Sequence, residues 1–425
     1  MRKGSKLLFF AVLFFSLIFL LSFVNAVEVI QFKNLPNTFT TNLSAFPVIG
    51  LTNGATAVRV NGERVFFEDY ADSFFKIVKL SQGNNQVRLR VVKNGVASTF
   101  IKNINYDPNY STSSHKVVYL NSVMGTSNIV VVDLSTKTYL GVIEGATAYG
   151  IFPAAEKVFI DVNGLGMVLN PSNNSISASP FGPYVRRVFF THNNSKLFLD
   201  GDIYDGATLE KIGQLPPGPL WGSYLPAVSS DDSKIYFKNG YVTLADNNFH
   251  AVNYSASSRS IVGELAVTAD DKYVIISSFD WAVGKVVLLN AVTGEKVKEF
   301  NNNRFQTDDY YGGHLPDYAG TVQLSSDGRF AFVGFSGNPI APAWSHPIGG
   351  ILTINLRTLR EVSFFNLDDA ETIKLISSTK MLSTYQKTNS YYGLALLGVE
   401  GPNFSKEVVF VCPDPQGFVY KPKFR

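Results

Sequence analysis

An all-β fold built on a repeat is what this 425-residue sequence predicts, and three observations carry that expectation. A polar turn, a Lys or Arg and an apolar β-branched run recur as "SSHKVVYL", "AAEKVFID", "NNSKLFLD", "DDSKIYFK", "DDKYVIIS", "SDGRFAFV" and "SSTKMLST". Their basic residues, Lys116, Lys157, Lys196, Lys234, Lys272, Arg329 and Lys380, lie 41, 39, 38, 38, 57 and 51 residues apart. Within a period the runs are strand-like, joined by turn residues as in "KVVLLNAVTGEKVKEF", and no window of a dozen residues after residue 26 shows helical spacing of apolar positions. Short strands repeated at a period of roughly forty residues describe the blades of a β-propeller, each needing a neighbour to bury its faces. Seven starts therefore predict seven blades over residues 117–425.

The elements follow in chain order. Residues 1–26 have a basic start in Arg2, Lys3 and Lys6, an apolar stretch from Leu7 to Val24, and small residues ending at Ala26. They read as a secretion signal, cleaved or retained as an N-terminal anchor, which places the rest at the cell surface or outside the cell. Residues 27–106 break the period and alternate β-runs with Asn-Gly and Gln-Gly-Asn-Asn turns, as expected of a two-sheet sandwich. Residues 107–116, with Pro108 and a Ser/Thr cluster, read as a linker. With the repeated phrase as the second strand of each blade, "KEVVFV" becomes the last outer strand and "GFVYKP", Gly417 to Pro422, is left over. It is expected to return as the innermost strand of the first blade and close the ring. The alternative donor is "STFIKNINY", which precedes the ring.

Two stretches carry a family resemblance. The turn phrases "DDSKIYF" and "SDGRFAF", with the following "VVVDLSTKTYLGVIEGATAYGI", resemble the repeat of the YVTN family of β-propellers, found in exported and surface-layer-associated proteins. Lys116 to Glu156 and Asp270 to Phe300 match it best, and the resemblance extends over roughly residues 115–425. It implies the ring fold and an extracytoplasmic setting. In the N-terminal segment, "VRVNG" followed by "SFFKIVKLSQGNNQVRLRV" resembles bacterial immunoglobulin-like modules, which implies a spacer or adhesion unit.

Composition narrows the function. The net charge of +3 vanishes without residues 1–26, leaving 34 basic against 34 acidic residues, so nothing supports a nucleic-acid partner. Cys412 is the only cysteine, which excludes an internal disulfide, and its run "EVVFVCP" points to a buried thiol. The five histidines, His115, His192, His250, His314 and His346, show no metal-ligand spacing. No nucleophile elbow or phosphate loop is present, and "NGLGMVLN" lacks the third glycine of a dinucleotide fingerprint. No cofactor is expected. The sequons at Asn42, Asn173, Asn193, Asn253 and Asn403 are no more than such a composition produces by chance.

The two long periods contain insertions, Asn301 to Gly320 and Ser336 to Gly350. In a propeller the link between strands two and three and the link to the next blade open on one face, so both insertions should emerge together beside blades five and six. Loops assigned to that face hold Trp221, Trp281 and Trp344, with Asp308, Asp309, Tyr310, Tyr311, His314, His346, Asp368 and Asp369. Aromatic platforms beside carboxylates suit a glycan or protein partner at the cell surface, bound without catalysis. A metal site from His314, His346 and Asp308 or Asp309 is a minor variant. Two other classes stay open: an enzyme using the central channel, as a lactonase-like hydrolase or an oxidoreductase, and a structural surface-coat component. Oligomeric state has no sequence signature here.

Overall fold

The computed structural model describes residues 28–30, 32, 35–51, 55–65, 73–112, 116–122, 127–152, 157–163, 165–178, 181, 188–216, 226–254, 261–280, 283–301, 319–335, 349–368, 370, 372–387, 391–411 and 415–421. Residues 1–26, read as a signal, and Cys412 lie outside this set. Among the described residues every regular element is a strand, and no α-helix occurs.

Strand β1 (Glu28–Ile30) precedes a separate two-sheet unit. That unit comprises β2 (Thr38–Thr41), β3 (Ala45–Leu51), β4 (Ala57–Val60), β5 (Glu63–Val65), β6 (Ser73–Lys79), β7 (Gly83–Lys93) and β8 (Val96–Tyr106). One sheet runs β2-β8-β7-β4-β5, and β3 pairs with β6 in the other. Alternation sorts the side chains: Val87 and Leu89 of β7 are buried while Arg88 and Arg90 face water. Both Asn-Gly turns have positive φ at each central residue, at Asn61-Gly62 and Asn94-Gly95. That conformation matches the twist of the strands it joins. Since β8 is engaged here with β7 and β2, "STFIKNINY" is not the ring's closing strand.

The repeats form antiparallel four-stranded meanders. Sheet I joins β9 (Val117–Ser122), β10 (Asn128–Asp133) and β11 (Thr138–Glu144) to the last strand of the chain. Sheet II holds β12 (Ala146–Phe152), β13 (Lys157–Val162), β14 (Leu165–Asn170) and β15 (Ser175–Ala178). Sheet III holds β16 (Val188–Phe190), β17 (Lys196–Leu199), β18 (Asp202–Asp205) and β19 (Lys211–Gln214). Sheet IV holds β20 (Ala227–Val228), β21 (Lys234–Phe237), β22 (Gly240–Thr243) and β23 (Asn248–Ala251). Sheet V holds β24 (Ile261–Val267), β25 (Tyr273–Asp280), β26 (Val283–Asn290) and β27 (Lys296–Asn301). Sheet VI holds β28 (Ala319–Leu324), β29 (Phe330–Phe335), β30 (Gly349–Asn355) and β31 (Arg360–Asp368). Sheet VII holds β32 (Ile373–Ser377), β33 (Lys380–Lys387), β34 (Tyr391–Glu400) and β35 (Asn403–Val411), with β1 added in parallel beyond β35.

The final strand β36 (Pro415–Lys421) pairs antiparallel with β9, matching Phe418 with Leu120 and Lys421 with Val117. Each sheet packs on its neighbours in chain order, and β34 of sheet VII meets β36 of sheet I. There the Tyr139 hydroxyl donates to the Val411 carbonyl at 2.7 Å, and its ring meets Phe410 edge-on. The order is cyclic, which is a β-propeller. Closure of this kind leaves no innermost sheet edge without a place in the ring.

The recurring phrase is a polar turn with fixed wiring. In sheet IV, Ser229 donates to Asp231, Asp231 accepts from the Ser233 N–H, and the Ser229 oxygen accepts from the Lys234 N–H at 2.8 Å. Thr268-Asp270-Tyr273 and Ser325-Asp327-Phe330 repeat the pattern, and Thr191-Asn193-Lys196 uses an amide for the acid. The constant point is thus a Ser or Thr rather than the basic residue, and Lys272 and Arg329 correspond to Ser195 and Ser233. Hydrogen bonds from Ser233 and Ser229 hold the Asp231 carboxyl down at about 2. The next residue is left-handed at Asn194, Asp232, Asp271 and Gly328, and the two aspartates reach across to the adjacent sheet. Asp232 accepts the His192 and Asn193 N–H groups, and Asp271 accepts that of Ser230. Paired acids in these turns are structural.

Candidate functional site

Innermost strands of neighbouring sheets lie side by side without pairing, so backbone groups left out of the ladders need partners from side chains. Five of these strands shift register: β12 between Ala148 and Gly150, β24 between Val262 and Leu265, β28 between Ala319 and Val322, β32 between Leu375 and Ser377, and β36 between Pro415 and Phe418. Bulges of this kind re-aim side chains and interrupt pairing. Polar side chains bridge the gaps beside them. The Asn121 amide takes both the N–H and the C=O of Ala148, at 2.7 and 2.9 Å, joining sheets I and II. Thr321 accepts from the Ile373 N–H at 2.6 Å, joining sheets VI and VII.

Between sheets V and VI the bridge includes an acid. Buried Ser277 accepts from the Glu264 N–H at 2.8 Å and donates to the Gly320 carbonyl at 2.6 Å. The Glu264 carboxylate, in the β24 bulge, accepts from the Val322 N–H of β28 at 2.5 Å. Glu264 is partly buried. Burial pushes its carboxyl up to about 7, with the Val322 N–H and the charge of Lys374 pulling weakly the other way. A carboxyl group balanced between its two forms near neutrality is suited to taking and returning a proton.

This shift has a consequence for stability. The folded-state value lies above the ordinary one, so the folded protein holds the proton where the unfolded chain has lost it. The contribution is complete below about pH 4.5 and declines as pH rises through about 7. We expect urea unfolding at pH 5.5 and 8.0 to show a fall in wild-type stability, relative to Glu264→Gln, of on the order of 1–3 kcal/mol. Parallel pH profiles for the two proteins would contradict the assignment.

Of the residues expected at the site from sequence, Trp221, Trp281, Asp308, Asp309, Tyr310, Tyr311, His314, Trp344, His346 and Asp369 lie outside the described residues. Asp368 is described by its backbone, paired with Gly349 at the end of β31. The roots of their loops are described. Phe335 pairs with both Ala319 and Gly350, so the two insertions spring from one end of sheet VI. In sheet V, Asp280 pairs with Val283 and Lys285 with Asn301, putting the Trp281 loop and the start of the first insertion at one end. Among the described residues, no three His, Cys, Asp or Glu side chains gather as a metal ion requires.

Glu264, Ser277 and Thr321 were not singled out by sequence reasoning. The available signal was a lone acid after a glycine within an apolar strand, "IVGELAV".

No family model matches the chain, and no curated protein matches it. Solved structures do. A periplasmic gluconolactonase of Pseudomonas aeruginosa is 11% identical over 72% of this chain and 99% of its own, with a TM-score of 0.49. A quinoprotein alcohol dehydrogenase-like protein of Bacteroides thetaiotaomicron is 11% identical over 93% of this chain and 99% of its own, at 0.47. The dihydro-heme d1 dehydrogenase NirN is 10% identical over 72% of this chain and 75% of its own, at 0.45. The propeller architecture rests on the chain's own strand pairing.

Proposed function

We propose that this chain is an exported seven-bladed propeller of the YVTN type with an immunoglobulin-like N-terminal unit, and that it hydrolyses a small ester or lactone at the mouth of its central channel. The observation that supports the channel is Glu264. It sits in an innermost-strand bulge beneath the insertion roots, hydrogen-bonded to the neighbouring sheet and raised to about 7. In its ionised form it takes a proton from water as the water oxygen bonds to the acyl carbon. The same proton then passes to the alkoxide as the acyl–oxygen bond breaks, which leaves an acid and an alcohol. The Lys374 charge, felt by Glu264, stabilises negative charge building up on the acyl oxygen.

The test is hydrolysis of a panel of lactones and aryl esters by the purified chain. Turnover is expected to rise with pH through about 7 and to fall at least roughly a hundredfold in Glu264→Gln. Absence of turnover across the panel, or full activity in that variant, would sink the enzyme reading.

One observation favours a second reading, non-catalytic binding of a surface glycan or protein: both insertions root at the same end of sheet VI. In that case a glycan and peptide array would show binding that Trp344→Ala with Tyr311→Ala removes, while Glu264→Gln leaves it intact.

A further inference from the structure

The N-terminal unit is wired into the ring through side chains near the end of β2. At its base, buried Thr41 donates to the Leu140 carbonyl of β11 at 2.5 Å, and its oxygen accepts from the Leu43 N–H. Leu43 lies flat on Gly141: a Cβ there would fall 2.5 Å from the Leu43 Cβ and 2.8 Å from the Ala45 carbonyl. Lys79 forms an ion pair with Glu144 at the end of the same strand.

Next to this contact runs a chain of buried amides. Asn174 donates to the Asn42 side chain at 2.7 Å, and Asn42 donates to the Tyr110 carbonyl at 2.8 Å. The buried Tyr119 hydroxyl of β9 donates to Asn174, at 3.3 Å. Thr112 then donates through its hydroxyl to Pro171 and through its N–H to Ser172, at 2.6 and 2.8 Å. The segment read as a linker is thereby fastened to the turn between β14 and β15. Buried amides satisfied in this way fix one arrangement, which apolar contact alone does not.

The apolar core is shared as well. A single cluster runs from Phe46, Val48 and Ile104 of the N-terminal unit through Val118, Leu120 and Tyr139 of sheet I to Leu394 and Phe410 of sheet VII. Strand β3 packs on β11 and touches β35, and β1 extends sheet VII at its outer edge. These contacts fall on sheets I, II and VII. Sheets I and VII are the two that close the ring, where the final strand must find β9 after the rest of the propeller has been made.

We propose that the N-terminal unit is a clasp across the closure seam of the propeller, holding sheets I and VII together, rather than a spacer. Loosening the Asn42 junction therefore loosens the seam, including strands that Asn42 does not touch.

The test is native-state amide exchange of the full chain, wild type against Asn42→Ala, read by mass spectrometry. That substitution removes two hydrogen bonds without adding bulk. Exchange in β9, β11, β35 and β36 is expected to rise at least tenfold, with sheets III to V within about twofold of wild type. A rise confined to residues 36–46, 110–112 and 170–175, with the seam strands at wild-type rates, would overturn the clasp. The wild type gives an independent reading through the denaturant dependence of exchange. A clasp requires β3, β9 and β36 to open as one unit with one slope; a spacer requires β3 to open on a slope of its own.

Discussion

Removal of residues 415–425 is expected to abolish cooperative folding of the ring. Strand β36 is the innermost strand of sheet I, and it follows every other described strand in the chain. Without it, β9 presents an open ladder, and Val118, Tyr119 and Leu120, now fully buried, lose the strand beside them. Sheet VII loses its contact with β36 at the same time. A deletion at this position removes ladder bonds, apolar cover and ring closure together, and the loss approaches the roughly 5–15 kcal/mol that holds a whole domain. Removing only residues 422–425 spares the strand and serves as the control. Urea unfolding followed by tryptophan fluorescence, with size-exclusion profiles, decides the matter. A truncated chain that unfolds at the wild-type midpoint would mean that the ring does not depend on this strand.

The second large effect is expected at Tyr139. Its side chain is buried, its hydroxyl donates to the Val411 carbonyl, and its ring packs edge-on against Phe410. The residue belongs to sheet I and both partners to sheet VII, so it spans the closure seam. Tyr139→Ala opens a large cavity and leaves a buried carbonyl without this donor, a combined loss of about 4–5 kcal/mol. Tyr139→Phe keeps the ring and loses only the hydrogen bond, about 1 kcal/mol. Chemical denaturation of the two variants separates these contributions. Equal effects from both would mean that packing at the seam adds nothing.

The turns show what local chemistry writes into a sequence. Ser229, Asp231 and Lys234 bond to one another within six residues, so the pattern is complete inside each short string. The same holds for the Asn-Gly turns of the N-terminal unit, whose positive φ values follow from the residue types. Glu264 is different. Its neighbours along the chain mark it only as an acid in an apolar strand, and its meaning comes from Val322, 58 residues away. Asn42 makes the same point in reverse. As a string it begins a sequon; in the fold it is buried and bonded to Tyr110 and Asn174.

By itself, the sequence determined that the chain is all-β, where its strands start, and which residues turn it, because each of those depends on contacts between near neighbours. It also placed the insertions, as interruptions of a period. Only the tertiary structure decided that the N-terminal unit packs on the closing sheets, that the C-terminal strand rather than "STFIKNINY" lies beside β9, and that a lone glutamate bridges two sheets. Those outcomes depend on burial and on hydrogen bonds between residues far apart in sequence, which exist only when the ring is closed.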